Sequence, residues 1–374
     1  MAFSGTGFAD QPATRSELTD TLLRSPAARR ADLSDISPTD TEFAILAAMM
    51  FAGVNAGADE TCRQVERELR AITLSIVGLP SDTRCLFTSS GSESILLALH
   101  AAREVASIPG GQRAAIVAPD TIHPAVAKAA RIIGADLILA DVGANGRATA
   151  EPFRGAIRPG VFAAAASAPA WAAGGWDDLS GIAVFCAEHG LHMHADACIG
   201  GLLAPFLPAS PISVPPPAAS ISLDWHKFGY APMHLSALCI PDPRASAIRF
   251  PAGANPPAAG DTLAGDRPFA PIAAAWATAR LLGRSGYRRF GQLMEARRDE
   301  LLARANASGF QAVAAPSSPI IRLLAGNGVI EAADARLERI RAKRQRLSSS
   351  LRLRIDPLMD ERTFAALLDC IGPP

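Results

Sequence analysis

Apolar and polar positions along this chain change period several times, and each change marks a structural element. Over Asp59–Ile76 the apolar residues recur at helical spacing, with Cys62, Val65, Leu69 and Ile72 on one face. An amphipathic helix is predicted there, after a shorter one over Thr41–Val54. Short apolar or alternating runs then predict strands at Cys85–Thr88, Ala114–Ala118, Leu137–Ala140, Val161–Ala164, Leu191–Cys198, Ser220–Asp224 and Leu235–Ile240. Helical stretches separate several of them, onward from Ile95 to Ala106, from Pro124 to Ile133 and from Asp177 to His189. Pro271–Ala305 reads as a long helix broken around Gly283–Gly286. The chain then reads strand (Ile320–Leu324), helix (Ala332–Leu347), strand (Leu351–Ile355) and helix (Glu361–Cys370), a small α+β unit. Residues 1 to about 40 are polar and interrupted by Pro and Ser, and read as a loosely structured arm.

Composition narrows the class. The chain has 374 residues, 49% of them hydrophobic and 19% charged, enough for one large and one smaller globular domain. A formal net charge of zero gives no long-range field for nucleic acid or an acidic membrane. The basic run Arg336, Arg339, Arg341, Lys343, Arg344, Arg346 has no interleaved aromatics and reads as a solvated helix face. Six cysteines without a C-x-x-C pair suggest a reduced, cytoplasmic protein. The first residues lack a signal peptide's basic and apolar regions, and the apolar run Phe43–Val54 is too short to span a bilayer, so no membrane partner is expected.

Candidate chemistry clusters where predicted strands end. Ser220–Asp224 runs into Trp225-His226-Lys227, and Gly229 permits a tight turn. A lysine desolvated beside Trp225, Phe228 and Tyr230 would have a lowered pKa and become a nucleophile for a carbonyl; the plainer reading is a surface lysine after an edge strand. Ser89-Ser90-Gly91-Ser92-Glu93 joins a strand to a helix, which makes either an ordinary cap or a phosphate site of free N–H groups and hydroxyls. His123 precedes Pro124 at a helix start, either as a cap or as a ligand-facing ring at a strand's carboxyl end. His192, His194 and Asp196 alternate onto one strand face; a metal site would need further ligands.

Taken in order, these segments resemble the pyridoxal-phosphate-dependent group II decarboxylase superfamily, in its sphingosine-1-phosphate lyase-like branch. Asp224-Trp225-His226-Lys227-Phe228-Gly229-Tyr230-Ala231-Pro232 is similar to that branch's D-x-H-K-[YF]-G-Y-A-P. Ser89–Ala98 is similar to T-S-G-G-T-E-S-I-L-L-A, and Leu191–Gly201 to L-H-V-D-A-C-L-G-G. The likeness runs from about Asn55 to Arg280. It implies fold type I: a mixed, mainly parallel seven-stranded sheet with helices on both faces, plus a small C-terminal α+β domain. The expected division is an arm over 1–60, a large domain over 61–285 and a small domain over 286–374.

The resemblance also implies pyridoxal 5'-phosphate as cofactor. Lys227 would be its Schiff-base lysine, Asp196 the partner of its ring nitrogen and His123 the imidazole stacked on its ring. Gly91 and Ser92 would hold the phosphate, with His226, Ser167 and Gly265 as further contacts. A homodimer with a shared active site is implied as well. The expected activity is carbon–carbon lyase chemistry on an amine substrate, with aldehyde-releasing cleavage of an amino alcohol first and amino-acid decarboxylation second. A carboxylate-binding arginine near the mouth would favour decarboxylation. An inactive relative serving as a binding protein is the third reading.

Asp266 replaces a serine beside Gly265 in the loop that the resemblance places at the cofactor phosphate, so either Asp266 turns away or the Gly265 amide alone makes that contact. Two departures bear on the substrate: Met233 stands where the lyases carry a phosphate-holding lysine, and Asn55–Asp59 lacks their histidine. With Trp171 and Trp176 added to another loop, these changes predict an apolar or aromatic group in place of a phosphorylated sphingoid base.

Overall fold

The computed structural model describes residues 8, 10, 13–22, 40–142, 146–247, 262–264, 266–338, 343–347, 350–359 and 361–371. Three helices precede the first strand: α1 (Arg15–Leu22), α2 (Asp40–Met50) and α3 (Glu60–Val77). α1 falls within the stretch expected to be loose. Thr14 and Glu17 form a reciprocal capping box, with the Thr14 amide donating to Glu17 Oε2 (2.8 Å) and the Glu17 amide to Thr14 Oγ1 (3.3 Å). α3 starts at Asp59, whose carboxylate accepts from the Cys62 amide at 2.9 Å, and stops at left-handed Gly78.

Then come β1 (Arg84–Thr88), α4 (Gly91–Val105), β2 (Ala115–Pro119), α5 (Pro124–Ile132), β3 (Asp136–Ala140), α6 (Ala150–Arg154), β4 (Val161–Ser167), α7 (Leu179–Glu188), β5 (His192–Asp196), β6 (Ser220–Asp224) and β7 (Ser236–Ile240). Among the described residues they build one seven-stranded sheet, ordered β1-β7-β6-β5-β4-β2-β3. β6, β5, β4, β2 and β3 run parallel, and β7 is antiparallel to both its neighbours. This is the mixed, mainly parallel sheet that the family resemblance implies. β4 is buried along Ala163–Ala166, as a strand covered on both faces must be. The register sets Ser167 opposite Asp196, and Asp196 opposite Ser222, so polar strand ends meet at one edge of the sheet.

After α8 (Pro243–Ser246), α9 (Ala270–Ala307) is bent at Gly283 (φ 55°, ψ −178°), where the sequence pattern breaks. β8 (Gln311–Val313), β9 (Ile320–Leu324), α10 (Asn327–Leu337), β10 (Lys343–Leu347), β11 (Ser350–Arg354) and α11 (Glu361–Ile371) complete the described chain. The four strands form an antiparallel sheet ordered β10-β11-β9-β8. One expectation fails here: the helix predicted over Ala332–Leu347 ends at Leu337, and Lys343–Leu347 is a strand paired with β11. Arg, Lys, Gln and Leu favour helices, but pairing with β11, whose Leu351 and Leu353 are buried, overrides that preference. The basic run is therefore no single helix face: Arg336 is helical, Lys343, Arg344 and Arg346 lie in the strand, and Arg339 and Arg341 lie outside the described residues.

Candidate active site

A cleft of about 560 Å³, open to solvent, lies where β5 and β6 end against the start of α4, and Gly91, Ser92, His123, Asp196, His226 and Lys227 all line it. Six of the expected site residues, from four separate segments, are thus brought together.

The α4 end is fixed by close approach. Ser90 caps the helix by accepting from the Glu93 amide at 3.3 Å. Glu93 reaches back to the Ser89 amide and hydroxyl (2.8 and 2.7 Å), and its other oxygen accepts from the Leu263 amide at 3.1 Å. A Cβ on Gly91 would sit 2.5 Å from Cys198 Sγ and 2.8 Å from Asp224 Oδ1, so only glycine lets α4 press this closely on the cleft floor.

β5 and β6 supply the floor. The first carboxylate, Asp196, is buried at the end of β5 and accepts from the Cys198 amide at 3.2 Å; among the described residues it forms no ion pair. The second, Asp224, was not singled out from the sequence, although it opens the lysine run. It is 3% exposed, accepts from Ser236 Oγ at 2.5 Å, lies 2.7 Å from Lys227 Nζ and lies 3.6 Å from His226 Nε2. Burial pulls the Lys227 ammonium down, but Cys198, Asp224 and Asp196 outweigh burial and hold its pKa above the ordinary lysine value. Burial keeps Cys198 itself a neutral thiol by raising its pKa, so the two carboxylates are the operative charges. The lowered lysine pKa expected from the apolar neighbours is thereby corrected. Trp225 lies fully buried beneath the loop with its Nε1 donating to Thr73 Oγ1 (3.3 Å), and Asp224 stands beside the amine instead.

The lysine turn is held rigidly. A Cβ on Gly229 would meet the Trp225 carbonyl at 2.6 Å, Tyr230 adopts a left-handed φ of 58°, and Tyr287 Oη donates to the Gly229 carbonyl at 2.9 Å. His226 Nδ1 donates to the Leu235 carbonyl at 3.0 Å, and its pKa is lowered, chiefly by burial. His123 satisfies both readings of its position. Its Nδ1 caps α5 by accepting from the Ala125 amide (3.1 Å), while the ring lines the cleft edge-to-face with Trp171, centroids 5.5 Å apart. Burial lowers the His123 pKa, so the ring is neutral near pH 7.

Other expectations land elsewhere. Ser167 lies one strand from Asp196, outside the cleft lining; its amide donates to Asp177 Oδ2 (2.6 Å), and its buried Oγ has no hydrogen-bond partner among the described residues. Gly265 lies outside the described residues. Asp266 is held by Asn55, whose Nδ2 donates to it at 2.6 Å, an arrangement that turns the carboxylate toward the arm. His192 and His194 share a strand face with Asp196 but are engaged with Ser220 Oγ (2.8 and 2.9 Å). Of the residues expected to make an apolar substrate wall, Trp171 alone lines the cleft: Met233 is 63% exposed, and Trp176 is buried with Nε1 donating to the Pro316 carbonyl at 2.9 Å.

Two functional candidates were missed altogether, Arg352 and Arg354 on β11. The guanidinium of Arg352 lies 4.8 Å from the Trp171 ring centre and that of Arg354 lies 5.9 Å from the Phe228 ring centre. Alternation in Leu351-Arg352-Leu353-Arg354-Ile355 puts both on one strand face, a signal overshadowed by reading the preceding run as helix. Burial and then Arg354 push the Arg352 pKa down to about 10. Burial also lowers that of Arg354, against the pull of Asp356 and Asp224.

The model of the pyridoxal-dependent decarboxylase conserved domain matches residues 62–249, half of the chain. Mouse sphingosine-1-phosphate lyase 1 is 31% identical over 236 residues, which cover 60% of this chain and 41% of that protein. The chain thus spans about two fifths of that relative's length. A Halobacterium salinarum protein named a probable L-aspartate decarboxylase is 29% identical over 350 residues, 90% of this chain and 94% of the other. Among solved structures, Burkholderia pseudomallei sphingosine-1-phosphate lyase superposes with a TM-score of 0.77 at 22% identity, covering 97% of this chain and 91% of that one. That likeness establishes a shared fold.

Proposed function

We propose that this chain, which belongs to the pyridoxal-dependent decarboxylase family and has pyridoxal phosphate as its cofactor, removes the carboxyl group of an amino acid as CO2. The observation that carries this reading is Arg352, whose guanidinium lies over the ring of the cleft-lining Trp171, where a substrate carboxylate could be held. The near-complete match in length to the probable L-aspartate decarboxylase supports it. Aldehyde-releasing cleavage of an unphosphorylated amino alcohol is the second reading. It is supported by Asp196-Ala197-Cys198 and the lysine run, which resemble those of the lyases.

Three observations support the fit of the cofactor. Ser90, Gly91 and Ser92 bring the start of α4, with its free amides, to one end of the cleft and suit a phosphate. Asp196 is a buried carboxylate without an ion pair among the described residues, and suits a protonated ring nitrogen. Lys227 lines the same cleft and is the residue we assign to covalent attachment. When bound, the cofactor holds the substrate amine and accepts the electron pair released at the α-carbon.

The chain's own residues then have distinct tasks. Arg352 orients the carboxylate that leaves, and neutral His123 offers a flat, uncharged face. Loss of CO2 requires one proton at the α-carbon, and Lys227 Nζ, kept protonated by Asp224 at 2.7 Å, is the store we assign to it. Asp196 fixes negative charge at the strand end. A homodimer and a cytoplasmic setting belong to the same reading. The homodimer rests on the family resemblance, and the setting is supported by six cysteines that form no disulfide among the described residues.

The test is to offer the holoenzyme amino acids and, separately, amino alcohols, while measuring CO2, amine and aldehyde. CO2 and the matching amine should appear from an amino acid. Arg352→Gln should lower kcat/KM by roughly ten- to a hundredfold, the value of a charged hydrogen bond. Aldehyde from an amino alcohol, with no CO2 from any amino acid, would overturn the proposal in favour of the second reading.

A further inference from the structure

Beneath the cleft a row of polar side chains crosses the sheet toward its opposite edge. His192 and His194 on β5 and Ser220 and Ser222 on β6 lie in register on one face, and all four are buried. Contacts join them end to end. His192 Nδ1 lies 3.7 Å from Asp242 Oδ2, an ion-pair distance longer than a hydrogen bond, and its Nε2 lies 2.8 Å from Ser220 Oγ. Ser220 Oγ is 2.9 Å from His194 Nδ1, His194 Nε2 is 3.4 Å from Ser222 Oγ, and the Cys198 thiol donates to Ser222 Oγ at 3.4 Å. Cys198 lines the cleft. Asp242 caps α8 at the far edge, where its amide donates to the Ala219 carbonyl just before β6, and its side chain is 13% exposed. The histidines and Asp196 span four residues of strand, so the row is about 13 Å long.

The fold does not demand these polar residues. β4 sets Ala163 and Ala165 opposite the two histidines, and β7 sets Leu238 opposite Ser222, so apolar side chains fill the neighbouring positions. Ser220, His192 and Asp242 follow the order of a nucleophilic triad, but Ser220 is fully buried and no substrate reaches it.

Asp242 sets the direction of the row. His192 holds its pKa down at about 2, so this end is a carboxylate. A neutral His192 turns Nδ1–H toward it, and each later group then has one option. Ser220 donates to His192 Nε2 and accepts from His194 Nδ1–H, while Ser222 donates to His194 Nε2 and accepts from Cys198. When His192 holds a second proton, Nε2 becomes a donor and the whole row reverses, ending with the Ser222 hydroxyl aimed at the Cys198 sulfur. The other charged or titratable groups beside this pair are Arg244, 3.7 Å from Asp242 Oδ1, and His194.

We infer that this row is a proton path from Asp242 and His192 to the cleft floor at Cys198. The inference rests on the decarboxylation reading: an amino acid and one proton become CO2 and an amine, so each turnover draws a proton from solvent. Cleavage of an amino alcohol draws none, because the hydroxyl proton can end on the α-carbon. A filled cleft covers the floor from its open side, and the row reaches it from behind. In the reversed row His192 passes its Nε2 proton to Ser220, and Ser220 passes its own to His194 Nδ1. His194 releases its Nε2 proton to Ser222, and Ser222 gives its own to Cys198 as the thiol proton leaves for the cleft, where Lys227 Nζ is refilled. His194 thereby exchanges one ring proton for another and stays neutral, as its burial requires, and Cys198 remains a thiol. Reprotonation of His192 and a change of His194 tautomer reset the row.

The experiment has an arm without turnover. Nitrogen NMR of the histidine-labelled holoenzyme, between about pH 5 and pH 8, reads both rings. His194 should exchange Nδ1–H for Nε2–H as His192 takes its second proton, and Ser220→Ala, which removes the hydroxyl between the rings, should abolish the switch. In turnover, Ser222→Ala and Asp242→Asn (whose amide keeps the α8 cap) should each lower kcat roughly ten- to a hundredfold with KM nearly unchanged. Added imidazole buffer should restore much of that loss and leave wild type unaffected, which a merely structural defect would not do. Thermal melting identifies unfolded variants, and should Ser222→Ala be one, Asp242→Asn decides. A His194 tautomer constant across the pH range, a kcat unmoved in the folded variants, or a loss that no buffer acid restores overturns the inference. A coupled switch without CO2 from any amino acid leaves the path standing and sinks decarboxylation; CO2 without the switch does the reverse.

Discussion

Asp224 and Arg354 lie on different sheets and carry opposite charges, yet they are held in different ways. The carboxylate is 3% exposed and engaged by Ser236 and Lys227, on a strand end in the middle of a seven-stranded sheet. Arg354 reaches the site from the smaller sheet and rests on the face of Phe228. The floor is thus over-determined by hydrogen bonds and close backbone packing, as a site must be when atoms have to be held to a fraction of an ångström. The rim, with Arg352 over Trp171, is set by how one sheet is placed against the other. On the reading proposed above, chemistry falls to the first region and carboxylate binding to the second.

The sharpest way to break that division is at Lys227. Lys227→Ala should abolish the borohydride-trappable link to the cofactor and reduce turnover by roughly 10²–10⁴-fold, the range for losing a proton-transferring side chain. Its melting temperature should stay close to wild type, because removing the ammonium leaves Asp224 its bond to Ser236. Trapping at another lysine would show that the floor has been assigned wrongly.

A smaller effect is expected at the neighbouring carboxylate. Asp196→Asn keeps shape and the bond from the Cys198 amide but removes the charge. Turnover should fall roughly ten- to a hundredfold, corresponding to about 1.5–3 kcal/mol on the barrier. Substrate binding, read from KM, should change little. If KM shifts along with turnover, floor and rim are coupled and the contrast drawn between them is too simple.

The two regions also differed in how far the sequence revealed them. Strand ends followed by Gly, Ser or Pro turns are local signals, and the floor is made of such ends. Gly91, His123, Asp196, His226 and Lys227 were therefore found from short runs. Asp224 was overlooked because its importance lies in a 2.7 Å contact with Lys227, a geometry that spacing alone does not disclose. Arg352 and Arg354 were overlooked for a different reason. The strand over Leu351–Ile355 is legible in the sequence, but its pairing with β10 and β9 and its placement beside Trp171 and Phe228 join segments far apart in the chain. The substrate wall drawn from Met233 and Trp176 failed likewise, since an exposed Met233 and a Trp176 tied to Pro316 are outcomes of packing between distant segments.

The smallest effect at neutral pH, and one that tests the depth of the floor, concerns His194. It is fully buried one layer beneath Asp196 on β5, where Nδ1 meets Ser220 Oγ at 2.9 Å and Nε2 meets Ser222 Oγ at 3.4 Å. Burial, helped by the neighbouring His192, lowers its pKa from 6.5 to about 3. An unfolded chain would protonate this imidazole near pH 6.5, while the folded protein resists until about pH 3. Between those values the unfolded state binds more protons, so folding stability must fall as pH drops through this window and the contribution is intact above it. The slope from one such group cannot exceed about 1.4 kcal/mol per pH unit. In His194→Gln an amide can still bond both serines but does not titrate. Its stability in urea should therefore decline less steeply than wild type between about pH 6 and pH 4, and the difference between the two should shrink or reverse as acid is added. Parallel slopes would mean that the imidazole is protonated inside the fold, and that the layer under the cleft floor is more hydrated than its burial implies.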